Sequence, residues 1–225
     1  MQRKPQDTMA RWMESMEGQM AIQREGLLAL PPDQIALRSG ARWEPTDPNG
    51  DERNGTLSLT FLQTPLVVQV PDYTVSGTTD RPISPMTQAL VTAYLLTADD
   101  TPRAGEWVSF RELPDGTFYH QAFNGYTGHA LVRVLGDNVD GFRYGAQATG
   151  GTVLAGLGDA AYEFRVLPRI WMAVVYWSGD PDDGLPPQAR VLFDRAAPHY
   201  LIVDGLAITG SQLVRRILAA AKEAC

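Results

Sequence analysis

Residues 161–194 read AYEFRVLPRIWMAVVYWSGDPDDGLPPQARVLFD, and the fold turns on its three apolar stretches. The first, 161–166, alternates: Tyr162, Phe164 and Val166 fall on one side, Glu163 and Arg165 on the other. That period of two is the signature of a strand with one buried face. The second, IWMAVVYW at 170–177, is apolar throughout and reads as a central strand covered on both faces. The third, ARVLFD at 189–194, follows the acidic, proline-rich loop SGDPDDGLPPQ. Three short strands in succession predict an antiparallel meander.

Downstream, Asp204 is expected to open a closing helix with Leu206, Leu213, Ile217 and Leu218 as its apolar stripe. Arg215, Arg216 and Lys222 lie toward its end, where the helix dipole favours cations. Upstream, GEWVSFREL at 105–113 alternates as a strand, with Trp107, Ser109 and Arg111 opposite Val108, Phe110 and Glu112. FYHQAF leads into TGHALVRVLG, a helical region interrupted or preceded by glycines. Ser84 followed by Pro85 is a helix start, with Met86, Leu90, Ala93 and Tyr94 as the stripe. TLSLTFL and PLVVQV, two residues apart, predict a hairpin. LPPDQIALRSG predicts a short helix ended by Gly40. DPNGDERNG reads as a solvated loop, since neither its glycine nor a closing glutamate suits a calcium loop.

Met9, Trp12, Met13, Met16 and Met20 recur at helical spacing, so residues 1–28 are expected to hold an amphipathic helix. A methionine-rich stripe of this kind is core or a docking face for a protein partner. The expected architecture is α+β, a single domain over residues 1–225. It is mainly antiparallel sheet packed with helices, with amphipathic helices at both ends.

Twenty-six acidic against nineteen basic residues give a net charge of −7, with no block of Lys or Arg. That argues against nucleic acid, which needs a basic footprint. The one cysteine, Cys225, supports neither an internal disulfide nor a thiolate metal site. No apolar run resembles a signal peptide or approaches the roughly 20 residues that span a bilayer. The cytoplasm is the expected compartment.

Familiar catalytic signatures are missing: there is no phosphate-binding G-x-x-x-x-G-K-[ST] loop and no G-x-S-x-G elbow. The glycines of GGTVLAGLGDA have the wrong spacing for a dinucleotide fingerprint and read as a tight turn. On one straight helix, His120 and His129 would face opposite ways, so a joint site needs a break, which Gly125 and Gly128 would supply. An all-histidine zinc centre would need all three histidines, so no metal site is expected. His199 stands between the strand ending at Asp194 and the helix near Asp204, on a loop of the kind where sites are built. Either it takes part in chemistry, or it packs against Tyr200 and bonds a nearby carbonyl. Arg111 beside Trp107 would hold an anion against an aromatic surface, or form an ordinary ion pair.

GEWVSFRELPDGTFYHQAF, GDAAYEFRVLPRIWMAVVYWSGD and PPQARVLFDRAAPHYL carry a further reading, together with YLLTADDTPRAGEW and the closing helix. Through them the chain resembles the domain-of-unknown-function family numbered three-seven-eight-six, over most of residues 26–220. The resemblance implies a family found mainly in anaerobic bacteria and archaea. Some members carry iron–sulfur modules similar to those of corrinoid proteins, which implies a link to tetrapyrrole, corrinoid or one-carbon metabolism. This chain lacks the cysteines of such a module, so a cluster would sit on a partner. The leading expectation is a cofactor- or ligand-binding accessory protein. Its binding residues would be His199, Tyr200, Trp107, Arg111, Tyr119 and His120. The alternatives are an enzyme pairing His199 with Asp194 or Asp204 as acid and base, and a scaffold docking through Trp12, Met13, Met16 and Met20.

Overall fold

The computed structural model describes residues 18–47, 53–77, 82–180, 182 and 184–223. The architecture is α+β with two antiparallel sheets. The chain divides into two compact units: Met1–Leu59 with Thr64–Asp100, and Thr60–Gln63 with Thr101–Cys225.

In the first unit, residues 18–28 are helical (α1), followed by α2 (Pro32–Ser39). Strands β1 (Arg42–Pro45), β2 (Gly55–Phe61), β3 (Thr64–Val70) and β4 (Thr74–Gly77) form a sheet in that order, and α3 spans Pro85–Thr97. The helix boundaries obey their local chemistry. Gly40 ends α2 at φ 69°, in the left-handed region that costs glycine least. Ser84 accepts from the Thr87 N–H at 3.2 Å, with Pro85 at the first turn of α3. Leu90 and Tyr94 of the expected α3 stripe are buried, while Met86 and Ala93 are half-buried. Trp12, Met13 and Met16 lie outside the described residues, as does Cys225.

The second unit is built on a sheet of order β5-β9-β8-β7-β6: β5 (Trp107–Ser109), β6 (Thr152–Val153), β7 (Ala160–Leu167), β8 (Ile170–Trp177) and β9 (Gln188–Asp194). The meander β7-β8-β9 is antiparallel throughout. In β8 all residues but the two tryptophans are buried, as an unbroken apolar run requires; each large aliphatic side chain so covered contributes about 1.5–3 kcal/mol. Four helices complete the unit: α4 (Gly116–Tyr126), α5 (Gly128–Leu135), α6 (Val139–Ala148) and α7 (Val203–Lys222). Phe110 stacks on Phe123 with centroids 4.2 Å apart, and Phe142 on Tyr176 at 4.9 Å. Burial, then Asp137, pushes the Tyr176 hydroxyl up to about 12 while it donates to the Gly136 carbonyl at 2.6 Å.

Two local readings change. β5 stops at Ser109 instead of continuing to Glu112, because the Glu112 carboxylate accepts from the Ser109 N–H at 2.8 Å and hydroxyl at 2.7 Å. That reciprocal cap winds Phe110–Glu112 into a 3₁₀ turn, so Arg111 leaves the strand face it was expected to share with Trp107. Asp204 stands in the first turn of α7 and Ile202 is the cap; Leu206, Leu213 and Ile217 are buried and Leu218 half-buried. Helix α6, in a segment with two glycines, forms because Asn138 caps it through the Gly141 N–H at 2.8 Å. Gly145 also lets α7 approach, since a Cβ there would fall 2.4 Å from the Ile217 carbonyl oxygen.

Candidate functional site

The two ends of β9 organise the second unit's polar chemistry. At its C-terminal end the Asp194 side chain is 3% exposed. Its carboxylate accepts from the N–H groups of Ala104 (3.0 Å), Gly105 (2.8 Å) and Ala196 (3.0 Å). Arg103 lies 3.5 Å from it and donates to Glu163 at 2.6 Å. The Arg103 guanidinium sits 4.2 Å from the Trp171 ring centroid and 5.4 Å from that of Trp107. Beside it, Arg195 holds Glu106 through two bonds of 2.6 and 2.7 Å. The arginine at Trp107 is therefore Arg103, not Arg111. Every charge at this corner has a partner, and buried charges require one.

At the N-terminal end of β9 a cleft of about 760 Å³ opens among the Phe110–Glu112 turn, α4, α5 and β9. Arg111, Arg133, Arg190, His120 and His129 line it, with Ser109, Asn124 and Gln188 as further hydrogen-bonding groups. No carboxylate is among the described lining residues. Arg111 and Arg133 make no ion pair among the described residues, and Arg190 lies over Trp177 at 5.5 Å. Elsewhere Arg24, Arg42, Arg103, Arg143 and Arg195 are ion-paired, while Arg38, Arg165 and Arg215 make no ion pair among the described residues. Glu112, adjacent to Arg111, turns its carboxylate onto Ser109.

Both histidines reach this cleft because the helix breaks between them. α4 ends at Tyr126, Thr127 takes φ −120° and ψ −92°, and α5 starts at Gly128. A Cβ at Gly128 would fall 2.2 Å from the Ala189 carbonyl oxygen, so only glycine lets α5 close onto β9. Of the two glycines expected to permit a break, Gly128 marks it; Gly125 lies inside α4.

Of the residues expected to bind a cofactor, Arg111 and His120 line the cleft, and the other four do not. Tyr200 is fully buried, its hydroxyl donating to the Thr101 carbonyl, so it is a core residue. His199 is exposed with Nδ1 3.1 Å from the Thr101 hydroxyl. Trp107 is half-buried under Arg103, and Tyr119 is exposed on α4. Neither Asp194 nor Asp204 bonds to His199, since Asp194 is engaged as above and Asp204 is exposed at the head of α7. Among the described residues no group of three or more His, Cys, Asp or Glu is placed to hold a metal ion. No helix there is long and apolar enough to cross a membrane. In the first unit, Met20 lines a smaller hollow of about 350 Å³ with Leu28, Tyr73 and Thr92; its Arg24 is paired with Asp72 at 2.7 Å.

The structure thus defines an α+β protein whose second unit carries a cationic cleft. The family model described as Domain of unknown function (DUF3786) matches residues 31–216, and the chain belongs to that family. No curated protein and no solved structure matches the chain.

Proposed function

We propose that the protein is a ligand-binding accessory protein and that the cleft at the start of β9 receives an anionic ligand through carboxylate or phosphate groups. The carrying observation is the set of three arginines and two histidines facing one hollow with no carboxylate among its described lining residues, on a chain of net charge −7. Guanidinium groups present a planar fork suited to carboxylate and phosphate oxygens. The volume falls within the range of sites that enclose small organic molecules. A tetrapyrrole with peripheral carboxylates is one ligand of this description, and the imidazoles of His120 and His129 are the groups that would meet its metal. The lining offers a macrocycle little stacking surface, because its one phenyl, phenol or indole ring among the described residues is that of buried Phe110. Anion recognition is the stronger feature.

The test begins with an absorbance spectrum of protein purified without oxygen. It continues with thermal unfolding in citrate, phosphate, haemin and cobalamin, for wild type and for the Arg111→Gln/Arg133→Gln double variant. A ligand at 100 times its Kd raises stability by about 2.7 kcal/mol. At least one anionic probe is expected to raise the wild-type Tm and to lose most of that effect in the variant. A Tm unmoved by every probe, or moved equally in both proteins, overturns the proposal.

A further inference from the structure

Two bonds set the α4 wall of the cleft. His120 Nδ1 lies 2.8 Å from the Thr117 carbonyl oxygen. A carbonyl oxygen only accepts, so this nitrogen carries the ring hydrogen and donates it. A neutral imidazole has one such hydrogen, which leaves Nε2 as a bare lone pair that can only accept. With Nδ1 turned back onto its own helix, Nε2 is the nitrogen left for the cleft, and it has no hydrogen-bond partner among the described residues. The Thr117 hydroxyl donates to the Arg111 carbonyl at 3.3 Å, so one residue fastens the turn that carries Arg111 to the turn that carries His120.

The other side chains of the lining do not share this role. A guanidinium has N–H donors and no acceptor, so Arg111, Arg133 and Arg190 can hold charged oxygens but cannot take the hydrogen of a hydroxyl. The Ser109 hydroxyl is engaged in its cap: it donates to the Glu112 carboxylate at 2.7 Å and accepts from the Glu112 N–H. Asn124 and Gln188 carry amides that turn to donate or to accept. Neither ring nitrogen of His129 is tied to a partner among the described residues, so its tautomer is free. His120 is therefore the lining side chain whose neutral form is held as an acceptor.

From one fixed acceptor among cationic donors we infer the class of ligand: an anion that carries its own hydroxyl beside its charged oxygens. The arginines hold the charge, and the hydroxyl donates to His120 Nε2. Two kinds of molecule share that chemistry, a hydroxycarboxylate and a phosphate group that retains a proton. Val132, Pro186 and Pro187 give the cleft an apolar stretch against which a carbon frame would rest. His120 is on this account the specificity-determining residue, and the inference rests on the anionic-ligand reading of the same cleft.

The experiment is titration calorimetry of the full chain at about pH 8, where an ordinary imidazole is neutral, with two matched pairs of anions. Citrate and tricarballylate differ by one hydroxyl; phosphate and sulfate differ by one proton at nearly equal charge and size. The hydroxyl-bearing member is expected to bind about three- to tenfold more tightly, the worth of one hydrogen bond. His120→Leu should remove that preference, whereas Arg133→Gln should weaken both members and keep their ratio. A preference in one pair alone supports the inference and names the source of the hydroxyl. Nitrogen chemical shifts of His120 in the wild-type chain should show Nδ1 protonated and Nε2 bare, a readout that needs no variant. Equal binding within both pairs overturns the inference, and so does a preference that survives His120→Leu, or the reverse tautomer. If the members bind equally but through Arg133, or if the four anions fail while haemin binds through Arg133, the anionic-ligand reading survives alone. If no anion of any kind binds, both fall.

Discussion

One strand, β9, carries two opposite solutions to the presence of charge. At Asp194 the carboxylate is buried and satisfied by three backbone N–H groups and Arg103, and the neighbouring Glu106 and Arg195 satisfy each other. At Arg190 the cations face a hollow and have no carboxylate among the described lining residues. Burying a charge is costly unless it is paired and hydrogen-bonded, so the first arrangement is what a fold needs to hold its own loop. The second contributes nothing comparable to folding. The contrast separates residues that hold the loop at 101–106 from residues that, on the reading proposed above, recognise a ligand.

The contrast breaks first at Asp194. Asp194→Ala would leave the N–H groups of Ala104, Gly105 and Ala196 without their acceptor and deprive Arg103 of one partner. Removing one member of a buried charge network costs roughly 3–5 kcal/mol, and denaturant unfolding should show it. A loss below about 0.5 kcal/mol, within the range of a surface substitution's scatter, would mean the corner is not structural. A smaller effect is expected at the other end of the strand. Gly128→Ala places a methyl group 2.2 Å from the Ala189 carbonyl oxygen, against backbone that cannot swing aside. Overpacking of this kind costs about 1–3 kcal/mol. It should also weaken anion binding, because α5 brings His129 and Arg133 to the cleft. Full stability and unchanged binding would show that the close approach does not build the site.

The sheet was legible because its signals are strong and local. Val174 and Val175 in an unbroken apolar run, and Tyr162, Phe164 and Val166 in alternation, admit few other placements. Ser84–Pro85 and Gly40 marked helix ends by their own chemistry. The site was less legible. His120 and Arg111 were among the residues singled out; Arg133 and Arg190 were not, because a cleft arises from where elements stop. The decisive stops are the Ser109–Glu112 cap, in a segment whose periodicity alone would carry on, and the break at Thr127, which the glycines at 125 and 128 had offered. S-F-R-E does contain a capping box, with Glu three residues after Ser, but the strand-like alternation around it is the louder pattern. Tyr200 shows the opposite error: a polar aromatic on a loop looks available, yet its ring fills the core once its hydroxyl finds a carbonyl.

The cleft arginines should behave as the reverse of Asp194. Arg133→Gln is expected to change stability by no more than about 0.5 kcal/mol, as exposed substitutions generally do. The same substitution should weaken an anionic probe by about tenfold, since hydrogen bonds to charged groups are worth about 1.5–3 kcal/mol. Equal losses in both measurements would erase the distinction between the two ends of the strand.

The smallest effect, and the sharpest link between the cap and the cleft, is a pH dependence. The Ser109 hydroxyl first, and its backbone N–H second, hold the Glu112 carboxyl below its ordinary value of 4.5. A carboxyl depressed in the folded state stabilises that state above its unfolded value, and the contribution is lost as pH falls through the folded one. Glu112 is fully exposed, so the change in global stability is slight. Its local consequence is larger, because the protonated acid no longer accepts as an anion from Ser109, and this cap is what ends β5 short of Gln188–Val191. Amide exchange at Ser109 should therefore accelerate as pH drops below the ordinary carboxylate range, beyond the intrinsic pH trend given by an unstructured peptide. Glu112→Gln should show the faster exchange already at neutral pH. If Ser109 exchanges alike in both proteins across that window, the turn is held by packing of Phe110 on Phe123 and not by its cap.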